Sequence, residues 1–191
     1  LLVALSVLSI AVIIERSFYF AKHGGDPQVL AGLLSPNLDK NAYDAAAKAI
    51  GGSKGFAAEV VKNALGAAHK GPATVVEVAQ ASVKIERLRF ERGLAFLGTL
   101  GSNAPFIGLF GTVLEIVAAL SQLGTQSGDQ VSARAVMSTL SAALAATAVG
   151  LLVALPAVAS YNYFGRRLRT MQVGADALVH QIVGQLKSVE Q

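Results

Sequence analysis

Glu115 is the one ionisable residue between Arg92 and Asp129, in a run otherwise made of Gly, Ala, Leu, Val, Phe, Thr and a few small polar residues. So long an apolar stretch reads as a membrane span, and a carboxylate within a span costs several kcal/mol unless it is neutralised, paired or hydrated. Such a group points to function by default, with a structural alternative in which it bonds as a neutral acid across an interface between subunits. Thr112 lies one turn before it, and Thr147 lies in the next apolar run. A threonine hydroxyl can donate and accept a hydrogen bond without carrying charge. It can equally well satisfy its own i−4 carbonyl, so neither threonine decides the chemistry alone.

The elements that must hold these residues are helices. Of 191 residues 53% are apolar and only 15% are charged, against about a quarter in soluble domains, so the composition is that of a membrane protein. The first span begins at Leu1 and stays apolar to about Ile14, followed by Glu15-Arg16 and the aromatic Phe18-Tyr19-Phe20. Fourteen residues rise only about 21 Å, and the chain does not start with Met, so the first helix, 1–20, is expected to continue N-terminally. The second span covers 93–123 and the third 135–164. No charge occurs from Ala135 to Gly165, roughly 46 Å of helix.

Basic residues orient the spans. Lys22 follows the first, Lys84, Arg87, Arg89 and Arg92 precede the second, and Arg166, Arg167 and Arg169 follow the third. The 124–134 loop carries only Asp129 and Arg134. The positive-inside rule then puts 21–92 and the 165–191 C-terminal helix in the cytoplasm, with the loop and the N-terminus on the periplasmic side. The net charge of +4, gathered at span ends, speaks for a lipid bilayer partner and against nucleic acid.

The 21–92 segment reads as short helices between breakers: Gly24-Gly25-Asp26-Pro27, Ser35-Pro36-Asn37, Gly51-Gly52-Ser53-Lys54-Gly55 and Gly71-Pro72. Helical spacing covers Leu38–Ile50 and Phe56–Lys70. After Pro72 nothing obvious interrupts the pattern, so a single helix is expected from Ala73 through the second span. Lys84–Glu91 reads as its solvated face. The fold class is all-α, with three transmembrane helices, two of them very long and extending into a helical cytoplasmic domain.

At 100° per residue Gly101, Ala104, Gly108, Gly111, Glu115, Ala119 and Gln122 fall in one sector of the second span. Thr139, Ala143, Thr147, Gly150, Ala154, Ala157 and Tyr161 form a matching stripe on the third, with Ser138, Ala142 and Ala145 beside it. Small residues let membrane helices approach closely. With three spans per chain, much of the covering surface is expected from other chains, so a homo-oligomer is expected. Pro105 and Pro156 are expected to kink their helices. His23, His69 and His180 lie outside the spans and form no ligand set, and there is no Cys, so no metal or cofactor is expected. No nucleophile–base pair or phosphate loop supports an enzyme.

Two spaced signatures resemble the ExbB/TolQ/MotA proton-channel family. One is Glu91-Arg92-Gly93-Leu94 followed by Ala104-Pro105-Phe106-Ile107-Gly108-Leu109-Phe110-Gly111-Thr112-Val113. The other runs from Ala143-Leu144-Ala145-Ala146-Thr147-Ala148-Val149-Gly150-Leu151 through Ala154-Leu155-Pro156-Ala157 to Tyr161-Asn162. The resemblance implies a subunit of an inner-membrane motor driven by the proton motive force. It implies a pentamer around an ExbD/TolR-like single-span protein with an intramembrane Asp, which energises a TonB/TolA-like protein. A MotA-type or gliding-motility stator, or a structural scaffold with Glu115 as clamp, remains the alternative. Thr112 and Thr147 would be the polar pathway. The chain departs from the family pattern at one point: ExbB and TolQ usually carry a Glu where this chain has Ala142, and a small residue where it has Glu115. Counted from the outer loop, both positions lie about 12 Å deep, so the expectation is a carboxylate moved to the facing helix at the same depth.

Overall fold

The computed structural model describes residues 1–125 and 133–189. The centre of the expected outer loop with Asp129, and the side chains of Gln122 and Arg134, lie outside the described residues. Those residues are almost wholly helical and contain no strand. In chain order they form α1 (Leu2–His23), α2 (Pro27–Leu38), α3 (Tyr43–Ala49), α4 (Phe56–Gly66), a 3-10 turn (Ala68–Lys70), α5 (Pro72–Glu91), α6 (Leu94–Thr125) and α7 (Ala133–Val189). Three stretches are long and apolar enough to cross a membrane: one beginning at Leu2 in α1, Leu94–Ser121 of α6, and one beginning at Met137 in α7.

The expected single helix from Ala73 through the second span does not form. α5 ends at Glu91, Arg92 turns to φ −54°, ψ 128°, and Gly93 takes φ +78°, a conformation glycine alone adopts without cost. The expected break at Ser35-Pro36-Asn37 is also absent. Pro36 lies within α2, where its missing donor leaves only the carbonyl of the exposed Gly32 without an intrahelical partner, and water can supply one. The Leu38–Ile50 stretch is instead split by a turn at Asp39–Asn41, where Asn41 takes φ +55°.

The chain divides into two compact units. The first, Leu1–Ile14 with Gly93–Tyr163, holds the apolar halves of α1, α6 and α7. Many of its large apolar side chains, among them Val7, Ile10, Phe110, Leu114, Leu144 and Leu152, are exposed, as suits contact with acyl chains or other spans, while Leu97, Leu100 and Val153 are buried.

The second unit, Glu15–Arg92 with Phe164–Gln191, has a conventional core. Asp26 caps α2 by accepting from the Gln28 amide at 2.9 Å, with Pro27 at the first helical position. Leu30, Leu34 and Leu38 bury one side of α2, and Phe56, Val60, Val61 and Ala64 one side of α4. Phe90 of α5 meets Phe20 of α1 at 5.0 Å and Phe56 at 5.6 Å edge-on, and Phe20 meets Phe164 of α7 at 4.9 Å. From Phe164, α7 buries Leu168, Met171, Ala175, Leu178 and Ile182, a three-four spacing that puts one stripe against the unit. Gly55, at φ +127°, has no room for a side chain: a Cβ there would lie 2.8 Å from the His23 carbonyl oxygen.

Candidate functional site

α6 and α7 pair through their small residues. A Cβ on Gly98 would lie 3.1 Å from the Tyr161 ring, and one on Gly101 3.1 Å from the Val158 backbone nitrogen. One on Gly108 would lie 2.9 Å from the Ala146 carbonyl oxygen and 3.0 Å from Thr147 Cα. One on Gly150 would lie 2.7 Å from the Ala104 carbonyl oxygen and 3.1 Å from Gly108 Cα. At Gly108 and Gly150 the nearest atoms are backbone, so glycine is required there for the helices to come this close. Gly111 follows, with Ala146 Cβ 3.3 Å from its Cβ direction. Gly101, Ala104, Gly108, Ala143, Gly150 and Ala154 are all buried. The two stripes therefore cover one another within the chain, where other chains were expected to supply much of that surface.

The antiparallel ladder pairs Gly101 with Val158, Gly108 with Gly150 and Gly111 with Ala146. One further turn brings Glu115 level with Ala142 and Ala143. The two alanines differ in facing: Ala143 is buried, whereas Ala142, like Ser138, is exposed. Glu115 is half-buried, and its Oε2 is buried without a hydrogen-bond partner. Thr147, one turn along α7 from Ala143, has its Oγ1 in the same condition. Among the described residues these are the only two buried side-chain polar atoms without partners, and both lie in the membrane-type unit. Each such atom costs about 1–3 kcal/mol, so a fold keeps one where something else uses it.

Thr112 is buried and spent differently: its Oγ1 donates to the Leu109 carbonyl at 2.6 Å, which leaves its lone pairs as acceptors but commits its proton. Pro105 is half-buried and Pro156 exposed, and α6 and α7 stay helical through both. Near Pro105, Ser102 and Asn103 bond back to the Thr99 carbonyl at 3.0 and 2.8 Å, so these exposed polar side chains meet their needs within α6. No cluster able to hold a metal occurs among the described residues.

The 72–92 segment held more than a solvated face. Glu86 and Ser82 are buried, because they continue the Val75, Ala79, Phe90 stripe of α5 at helical spacing. The stripe's spacing is legible in the sequence; the burial of an acid on it, beside Lys84, Arg87 and Arg89, is not. Arg16 is also buried: it pairs with Glu15, donates to the Arg89 carbonyl at 3.2 Å and lies 4.6 Å over the Tyr19 ring.

A model of the MotA/TolQ/ExbB proton channel family matches residues 52–175, from the start of the α4 region to well along α7. The chain belongs to this family. Among curated relatives, the biopolymer transport protein ExbB of Neisseria gonorrhoeae is 44% identical over 108 residues, 56% of this chain and 48% of the relative. A putative ExbB-like 2 protein of Helicobacter pylori is 40% identical over 95 residues, 50% of this chain and 62% of the relative. The Tol-Pal system protein TolQ of Pseudomonas aeruginosa is 40% identical over 93 residues, 49% of this chain and 39% of the relative. The chain thus matches about half the length of these relatives. The family match covers the whole α6–α7 pairing, including Glu115 and Thr147.

Proposed function

We propose that this chain is an ExbB/TolQ-like subunit of an inner-membrane proton channel, and that Glu115 and Thr147 lie on its proton path. The observation that carries this is the pair of buried, partnerless oxygens in a chain of a proton-channel family. A carboxyl oxygen and a hydroxyl oxygen with unused hydrogen-bonding capacity can bind and pass a proton or a short water file, which an apolar helix pair cannot. Similarity to ExbB and TolQ supports a homopentamer around an ExbD/TolR-like single-span protein whose membrane Asp takes the proton, and a TonB/TolA-like protein that receives the work. Basic residues at the span ends support a cytoplasmic C-terminus. A clamp within the chain is disfavoured, because Glu115 Oε2 has no hydrogen-bond partner among the described residues.

In this arrangement the carboxylate usual for the family on the third span has moved from the Ala142 position to Glu115. The test is proton flux in proteoliposomes containing this chain and an ExbD-type partner. Glu115→Ala is expected to abolish flux with the oligomer intact, and adding Ala142→Glu is expected to restore part of it. Full flux in Glu115→Ala would sink the assignment.

A further inference from the structure

Outside the membrane-type unit, a cleft of about 400 Å³ is lined by Tyr19, His23, Lys54, Gly55, Glu59, Glu86, Arg89 and Phe90. It lies wholly within the second unit, where α1, α4 and α5 meet. The charged groups around it come from each neighbouring element. α1 brings His23, with Arg16 over the Tyr19 ring; the 51–55 turn brings Lys54; α4 brings Glu59 with Lys62; α5 brings Arg89. Lys62 bonds Glu59 at 3.3 Å and the Ser53 carbonyl at 2.7 Å, so Glu59 has its own cation. Among the described residues Glu86 has one ion-pair partner, Arg89 at 2.7 Å, and Arg89 is largely exposed while the Glu86 side chain is about 10% exposed. His23 Nδ1 lies 3.1 Å from the Tyr19 carbonyl oxygen, which can only accept, so Nδ1 is the donor of this bond.

We propose that this cleft is a proton-binding site of the helical unit, with Glu86 as the acceptor, through which acidity on that side of the membrane tightens the α1–α4–α5 joint. Geometry supplies the reason. A carboxylate held on the buried stripe of α5 must either stay charged with one solvent-facing partner or take a proton and lose its desolvation cost. Burial raises the Glu86 carboxyl above its ordinary value; Arg89 and His23 pull it back, and Glu59 pushes it up further. The sign follows from that direction. Stability contributed by a group raised on folding is present below its unfolded-state value and is lost as pH rises through the folded-state one. The joint should therefore be tighter on the acid side of that window. The site is separate from the Glu115 path and does not depend on it.

The test is an infrared titration of the intact protein in lipid, following the protonated carboxyl stretch, with amide hydrogen exchange over residues 15–23, 56–66 and 72–91 alongside. A carboxyl band titrating above the ordinary range is expected, absent in Glu86→Gln. Its midpoint should rise in His23→Gln and in Arg89→Gln and fall in Glu59→Gln. Exchange of these helices, corrected for its intrinsic pH dependence, should slow below the midpoint in the native chain and show no such step in Glu86→Gln. The absence of any component above the ordinary carboxyl range that Glu86→Gln removes, or a component that none of the three neighbours moves, overturns the proposal. If Glu86→Gln does not fold, the native titration and the neighbour variants still decide it.

Discussion

Thr147 Oγ1 and Glu115 Oε2 separate stability from activity in a way that can be measured. A hydroxyl buried without a partner weakens the fold, so replacing it with a methyl of the same shape removes a cost without opening a cavity. Thr147→Val is therefore expected to leave the thermal midpoint in detergent unchanged, or raised by the equivalent of about 1 kcal/mol. The same change is expected to reduce proton flux sharply, and Thr147→Ser to retain it. A structural threonine predicts the reverse: lower stability in Thr147→Val with flux following folded protein. Thr112 makes the contrast, because its proton already goes to the Leu109 carbonyl. Thr112→Val should then cost some stability through the lost bond, about 0.5–1.5 kcal/mol. Glu115 stood out in the sequence as a lone acid in a span. That Thr147 differs from Thr112 could not be read there, since identical side chains are told apart only by which carbonyl or void lies within reach.

The α6–α7 pair rests on a few positions where a methyl group has no room. Gly108→Ala and Gly150→Ala each push a Cβ to within 3 Å of the facing helix's backbone, which cannot move aside as a side-chain tip can. Each is expected to spread the helices and cost about 1–3 kcal/mol, the range for overpacking. Gly111→Ala should be milder, since its neighbour at 3.3 Å is the Ala146 Cβ. Gly184→Ala, with nothing within 4 Å, should be neutral or stabilising by up to about 1 kcal/mol. Spin-label distances between the outward faces of α6 and α7 would rank these variants, and equal distances in Gly108→Ala and Gly184→Ala would contradict the packing described. The small-residue stripes were legible in sequence because they need only the helical period. What covers them was not, because a stripe of Gly and Ala records that something comes close without recording which chain it belongs to. The end of α5 was hidden for a related reason: Gly93 breaks the helix by the sign of one torsion, with no proline beside it to mark the place.

At the scale of the molecule, the two units hold together by different physics, and this can be tested with one core residue. The first unit buries a few large side chains such as Leu97, Leu100 and Val153, but many others face outward, and a bilayer denies its backbone any partner but the helix itself. The second unit is a water-type core in which Phe90, 1% exposed, meets Tyr19, Phe20 and Phe56 edge-on. Phe90→Ala removes three ring contacts and leaves a cavity where α1, α4 and α5 meet, at a cost of about 3–5 kcal/mol. That is comparable with the whole stability of a small helical domain. In lipid, amides of residues 56–66 and 72–91 are expected to lose most of their exchange protection in this variant, while those of 94–121 and 137–160 keep theirs. Loss across both sets together would show one cooperative fold and refute the division into separately stabilised units. Retained α6–α7 protection would also separate the roles in transport: the intramembrane oxygens would still be positioned, so any fall in proton flux in Phe90→Ala would measure what the helical unit contributes beyond holding them.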